Sequence, residues 1–199
     1  MPKVFVTRRP PESSVALLND AFGPKNITVF PEDRPINQDE LLASVTGADA
    51  ILSMLTEPMN SEAFDAAGSQ LKIVANMAVG YNNIDVHAAT ERGIVVSNTP
   101  DVLTECTADL TWALLLATCR RLSETERFLR SGKWASWSPT FMLGVDVYGK
   151  TLGIYGLGRI GKAVARRARA FNMKVLYHSP TQLAATEKAG LGLTYGAVP

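Results

Sequence analysis

The sequence predicts an α/β protein built in two successive parts. Three observations carry that reading. Short β-branched runs alternate with helical patterns through the first half, a long apolar helix follows Thr104, and a strand, a glycine turn and a helix succeed one another after Gly149. With 199 residues, 46% hydrophobic and 20% charged, the chain is long enough to bury one large core or two small ones.

In the first half, Lys3–Thr7, Ile27–Phe30, Ala50–Ser53, Ile73–Asn76 and Ile94–Ser97 read as buried parallel strands. Helix starts are signalled between them by Asn37 ahead of Glu40-Leu41-Leu42, Ser61 ahead of Glu62-Ala63-Phe64 and Asp85 ahead of Val86 and Ala88. A change of texture at Thr99-Pro100-Asp101 leads to a helix capped at Thr104 and running to Arg120-Arg121. Ser123 and Glu126 have capping-box spacing, which predicts a second helix to about Ser131, followed by the aromatic loop Trp134-Ala135-Ser136-Trp137-Ser138-Pro139.

The last part reads as strand Thr151–Tyr155, glycine turn, helix Arg159–Phe171, strand Lys174–His178, helix Gln182–Ala189 and a short strand at Leu193–Tyr195. This βαβαβ order is one mononucleotide-binding half of a Rossmann sheet, in which the first strand lies next to the missing half, so Thr151–Tyr155 is expected at an unpaired edge.

The turn itself is Gly156-Leu157-Gly158-Arg159-Ile160-Gly161. A pyrophosphate needs free backbone N–H groups at a helix N-terminus and a backbone without side chains in its way. Glycines at this spacing supply the tight turn, the close approach and the helix–strand packing. A glycine turn serving packing alone is the competing account, but the apolar strand before it and the amphipathic helix after it (Ile160, Val164, Ala168, Phe171) supply the required context. Lys162, Arg166, Arg167 and Arg169 fall on the opposite face and read as a solvated surface.

A carboxylate that would bind the adenosine ribose is missing at the end of the second strand, which closes on His178-Ser179-Pro180-Thr181. Hydroxyls there tolerate a 2′-phosphate better than Asp would, which favours NADP as cofactor with NAD as the alternative.

A net charge of +1 gives no electrostatic case for nucleic acid or an anionic membrane. The first apolar run breaks at Arg8-Arg9-Pro10, too soon for a signal peptide, so a cytoplasmic location is expected; no apolar run approaches a bilayer's roughly 20 residues. Cys106 and Cys119 stand about 20 Å apart along one helix, which makes them free thiols, and neither has partners at metal-ligand spacing.

Four stretches together resemble the D-isomer-specific 2-hydroxyacid dehydrogenases, and within them the glyoxylate/hydroxypyruvate reductases. They are Ala78–Asp85, Asn98–Thr104, Trp134–Pro139 and Gly153–Gly161. The resemblance implies a flavodoxin-like substrate domain over residues 1–98 and a Rossmann domain over 99–199, cut off after its first βαβαβ half. It implies that Val79 and Gly80 bind the substrate carboxylate through backbone N–H groups, an ordinary glycine turn being the alternative. It implies that Leu157 to Ile160 contact the pyrophosphate, that Ser179, Pro180 and Thr181 line the adenosine phosphate, and that Thr104 lies near the nicotinamide.

Relatives often carry Arg where Pro180 stands, a departure that bears on NADP. The family's catalytic Arg, Glu and His belong to its C-terminal part, so no catalytic residue is expected within this chain and the 199 residues alone are expected to be inactive. His87 and His178 are placed for neither acid nor base work. The expected partners are a small 2-keto acid, glyoxylate or hydroxypyruvate, and a second copy in a homodimer; Trp134 and Trp137 either pack internally or reach that copy. A dinucleotide-sensing corepressor-type module is the alternative function. Formate dehydrogenases match the second and third stretches less well.

Overall fold

The structure, a computed structural model, describes residues 1–196 and divides into two compact units, Met1–Pro100 and the chain from Asp101 onward.

The first unit runs β1 (Val4–Val6), α1 (Glu12–Phe22), β2 (Ile27–Val29), α2 (Gln38–Val45), β3 (Ala50–Ser53), α3 (Ser61–Ala67), β4 (Ile73–Asn76), α4 (Val86–Glu91) and β5 (Val95–Ser97). All strands are parallel in the order β2-β1-β3-β4-β5, the flavodoxin-like arrangement. Phe5, Ile51 and Val74 from the sheet bury against Leu41, Val45, Phe64 and Met59.

Local signals explain most helix starts. Asn37 accepts from the Glu40 N–H at 2.9 Å while the Glu40 carboxylate accepts from the Asn37 N–H at 3.1 Å, a complete capping box. Asp85 caps α4 through the Ala88 N–H. At α3 the cap is Asn60 rather than Ser61: Asn60 is the residue with extended backbone, and its Oδ1 takes the Ala63 N–H at 3.1 Å. Helix α1 carries no such signal, since Pro11 precedes it without a side-chain bond and none of its residues is fully buried.

The second unit contains α5 (Thr104–Cys119), α6 (Leu122–Arg130), β6 (Thr151–Tyr155), α7 (Arg159–Ala168), β7 (Lys174–His178), α8 (Ala185–Leu191) and β8 (Leu193–Tyr195), with parallel strands in the order β6-β7-β8. Among the described residues β6 pairs with β7 alone, and Tyr155 at its end is 81% exposed. Helix α5 packs on α7 through Ala108 and Trp112 against Ala163, Val164, Ala165 and Ala168, small residues that let the two backbones come close.

Several boundaries differ from the sequence expectation. Thr104 is the first helical residue of α5, not its cap, and Leu103 precedes it without a side-chain bond. The Ser123–Glu126 capping box does not form. Helix α6 starts at Leu122 behind Arg121 in the left-handed region, Arg121 chelates Glu124, and Glu126 pairs forward with Arg130. Helix α7 tightens into a 3₁₀ turn over Arg169–Phe171, and α8 begins at Ala185 rather than Gln182.

The cationic face of α7 is not simply solvated: Arg166 and Arg167 pair with Glu105, Arg167 also with Asp109, and Lys162 with Glu187. Acids four apart on α5 meet bases on the helix packed against it. Among the described residues no helix is long and apolar enough to cross a membrane.

Candidate functional site

In the second unit the glycine turn joins β6 to α7. Gly156 has φ +91°, which a side chain would strain, and its N–H donates to the His178 carbonyl at 2.8 Å. That bond seats the turn against the end of β7, so Ser179, Pro180 and Thr181 leave the sheet beside it. A Cβ on Gly161 would collide with the Gly156 carbonyl oxygen, whereas one on Gly158 would meet nothing within 4 Å. Packing therefore explains Gly161 and leaves Gly158 unexplained, unless the open space beside it is where a ligand's oxygens come close.

From Leu157 to Gly161 no backbone N–H has an acceptor among the described residues; the first bonded one is Lys162, to Gly158 at 3.0 Å. This is the anion-seeking end of a helix, and it suits a pyrophosphate. The Arg159 side chain is turned to Asp101 at 2.7 Å. Thr104 is half-buried at the start of α5.

In the first unit the chain leaving β4 makes a loop whose peptide planes are fixed one after another. The Ala78 carbonyl accepts from the Thr99 N–H at 2.8 Å, the Val79 carbonyl from Asn98 Nδ2 at 2.8 Å, and the Gly80 carbonyl from Asn76 Nδ2 at 2.8 Å. In a trans peptide the N–H points opposite the C=O. Pinning these three carbonyls therefore fixes the N–H groups of Val79, Gly80 and Tyr81, none of which has an acceptor among the described residues.

Leu55 lies against this loop, its Cδ2 3.9 Å from where a Gly80 Cβ would stand. The Leu55 loop is fixed in turn by the fully buried Glu57, whose carboxylate accepts from Thr7 Oγ1, the Met54 N–H and Thr56 Oγ1. Asn83 ties the two loops by donating to the Met54 and Glu57 carbonyls. The sequence assigns a binding role to Val79 and Gly80; Asn76, Asn83 and Asn98 appear only within a strand or a family-like stretch, and Glu57 not at all. Part of each set of contacts joins separate strands or loops, as between Asn98 and Val79, Asn76 and Ser53, Asn83 and Met54, and Glu57 and Thr7, which no local pattern encodes.

His87 is exposed and faces Glu91 along α4. The His178 ring stacks on Tyr155 at 5.4 Å, with Nδ1 3.1 Å from the Gly196 carbonyl oxygen. Trp137 is 79% exposed, so it is not an internal core aromatic. Trp134, half-exposed, borders an apolar groove with Phe128, Leu129, Phe141 and Met142.

A family model for the catalytic domain of D-isomer specific 2-hydroxyacid dehydrogenases matches residues 4–194. The chain belongs to that family. A glyoxylate reductase from Thermococcus kodakarensis is 54% identical over 191 residues, which are 94% of this chain and 56% of that protein. A solved D-isomer specific 2-hydroxyacid dehydrogenase from Polaromonas superposes with a TM-score of 0.88 at 36% identity, over 98% of this chain and 60% of that one. A glyoxylate reductase structure from Paecilomyes thermophila gives 0.79 at 31% identity, over 99% and 61%. This 2-hydroxyacid dehydrogenase chain thus spans little more than half the length of the relatives it matches.

Proposed function

We propose that this chain supplies the carboxylate-binding and dinucleotide-binding loops of an NAD(P)-dependent dehydrogenase that reduces glyoxylate or hydroxypyruvate to the 2-hydroxy acid. The observation that carries the reading is a run of consecutive backbone N–H groups without acceptors in each unit, at Val79–Tyr81 and at Leu157–Gly161. Oriented main-chain donors of this kind suit a carboxylate and a pyrophosphate. The names of the relatives supply the substrate class.

In this reading residues 1–98 form the substrate domain and 99–199 the first part of the nucleotide domain. Bound dinucleotide supplies the hydride. Val79 and Gly80 hold the substrate carboxylate, and Gly156 to Gly161 hold the pyrophosphate by main-chain donation. Thr104 lies towards the nicotinamide, while Ser179, Pro180 and Thr181 border the adenosine phosphate. With no acid between His178 and Glu187, and Glu187 itself paired to Lys162, this segment offers no carboxylate against a 2′-phosphate, which favours NADP. The apolar groove beside Trp134 and the exposed Trp137 support a homodimer, and a cytoplasmic location goes with this reading.

Tryptophan-fluorescence titration with NADPH and NADH tests the cofactor half; tighter binding of NADH would reverse the preference. Turnover is tested by following nicotinamide absorbance with glyoxylate. Activity is expected from the whole protein and none from the 199-residue chain, whose two histidines lie on the exposed face of α4 and in the Tyr155 stack. Turnover by the chain alone would defeat the assignment of the proton donor to other residues.

A further inference from the structure

We infer that Asn76 and Asn98 are positioning residues for the carboxylate-binding loop, acting through the Gly80 and Val79 carbonyls, and that the Tyr81 N–H is a third donor beside those of Val79 and Gly80. The inference rests on the proposal that a substrate carboxylate binds at this loop.

The chemistry of the two amides is specific. Asn76 is 2% exposed and uses both ends of its side chain: Oδ1 accepts from Ser53 Oγ at 3.0 Å and Nδ2 donates to the Gly80 carbonyl at 2.8 Å. Asn98 donates Nδ2 to the Val79 carbonyl at 2.8 Å, and its neighbour Thr99 holds the Ala78 carbonyl. The donors come from the ends of β4 and β5, adjacent parallel strands, so the rigid sheet fixes the loop.

A carboxylate ligand interacts best with N–H groups that need no reorganisation on binding. Each pinned carbonyl removes rotation of one peptide plane. Replacing Asn by Asp puts an acceptor where a donor is required, so a carbonyl and a carboxylate oxygen repel and the plane is released. Gln keeps the donor. Asn83 donates to the carbonyls of the Leu55 loop and accepts from Asn76 Nδ2 at 3.5 Å, so it holds the neighbouring wall and reaches these planes only through Asn76.

The test is amide NMR on the ¹⁵N-labelled chain titrated with oxamate, an unreactive carboxylate analogue of the keto acid. The Val79, Gly80 and Tyr81 signals are expected to move together and saturate. Asn98→Asp and Asn76→Asp should weaken oxamate binding about tenfold or more, the loss of one well-placed hydrogen bond to a charged group. Asn98→Gln should recover most of it, which a general folding role would not predict.

Dispersed strand amides check folding in each variant. If Asn76→Asp does not fold, Asn98→Asp decides, together with slowed exchange of the Asn76 and Asn98 side-chain amide protons in the unmodified chain. Wild-type shifts at Val79–Tyr81 with undiminished binding by the Asp variants would overturn the positioning role and leave the carboxylate reading standing. So would rapid exchange of both side-chain amides. Absence of any wild-type shift at these three residues would overturn the carboxylate reading and the inference together, and a still Tyr81 beside moving Val79 and Gly80 would remove the third donor.

Discussion

Arg159, the first residue of the helix after the glycine turn, places its Nε 2.7 Å from the Asp101 carboxylate, and Asp101 itself holds a left-handed backbone with φ 71°. Both side chains are about two-thirds exposed (64% and 66%), so the ion pair contributes little. The backbone is the larger effect, since a left-handed conformation costs an ordinary residue about 1–2 kcal/mol. Asp101→Ala is therefore expected to be less stable than Asp101→Gly by about 1 kcal/mol in urea denaturation, although both lose the pair. Equal midpoints would show that the left-handed backbone at this position costs a residue with a side chain nothing measurable.

The glycines of the turn separate binding from stability. Gly158→Ala adds a methyl group to open space and should change unfolding free energy by less than about 0.5 kcal/mol. It should weaken nucleotide binding about tenfold or more, because the methyl occupies the space a pyrophosphate needs. Gly161→Ala drives a methyl into the Gly156 carbonyl and should destabilise the second unit by about 1–3 kcal/mol. Thermal unfolding read beside a fluorescence titration checks both, and a Gly158→Ala protein with unaltered affinity would take the turn out of the binding argument.

The same turn shows how far sequence alone reaches. Its strand–turn–helix geometry was legible because a strand, three glycines and an amphipathic helix follow one another within about twenty consecutive positions, where periodicity and spacing speak directly. Asn37 and Asp85 were legible as caps for the same reason. Where two cap-forming residues stand side by side, as at Asn60-Ser61, pattern cannot choose, because the choice belongs to backbone dihedrals. At Ser123 a local pattern lost to an Arg121–Glu124 chelate that also engages the Leu143 carbonyl. The clamp on Val79 was invisible because Asn98 lies 19 residues from the carbonyl it holds; that on Gly80 comes from Asn76 only four residues away, in a loop whose geometry follows no regular period.

Trp112 joins the helices of the second unit. Its ring stacks on Phe171 with centroids 4.6 Å apart and planes 9° from parallel, and its indole N–H donates to the Val164 carbonyl at 3.1 Å. Trp112→Ala should cost about 3–5 kcal/mol. Trp112→Phe keeps the stacking and loses the donor, so a smaller loss of roughly 1 kcal/mol plus some packing is expected. Chemical denaturation followed by circular dichroism measures both, and an Ala variant no worse than Phe would deny the stack a role.

Acid sensitivity of the first unit is expected to pass through Glu40. The Arg34 guanidinium, donating to Glu40 at 2.8 Å and 2.6 Å, and then the Asn37 N–H hold its carboxyl down from the ordinary 4.5 to about 2. Protonation removes the charge that both donors favour and opens the capping box at the start of α2. Because the folded value lies below the unfolded one, the stabilisation is present above about pH 4.5 and is lost progressively as pH falls towards about 2. Glu40 is solvent-accessible, which limits the size of the effect and leaves its direction unchanged. Urea midpoints across this window should fall less steeply for Glu40→Gln than for the unmodified chain, and carboxyl NMR should place the Glu40 titration well below the ordinary 4.5. A Glu40 signal titrating near 4.5 would break the link between Arg34, the capping box and acid stability.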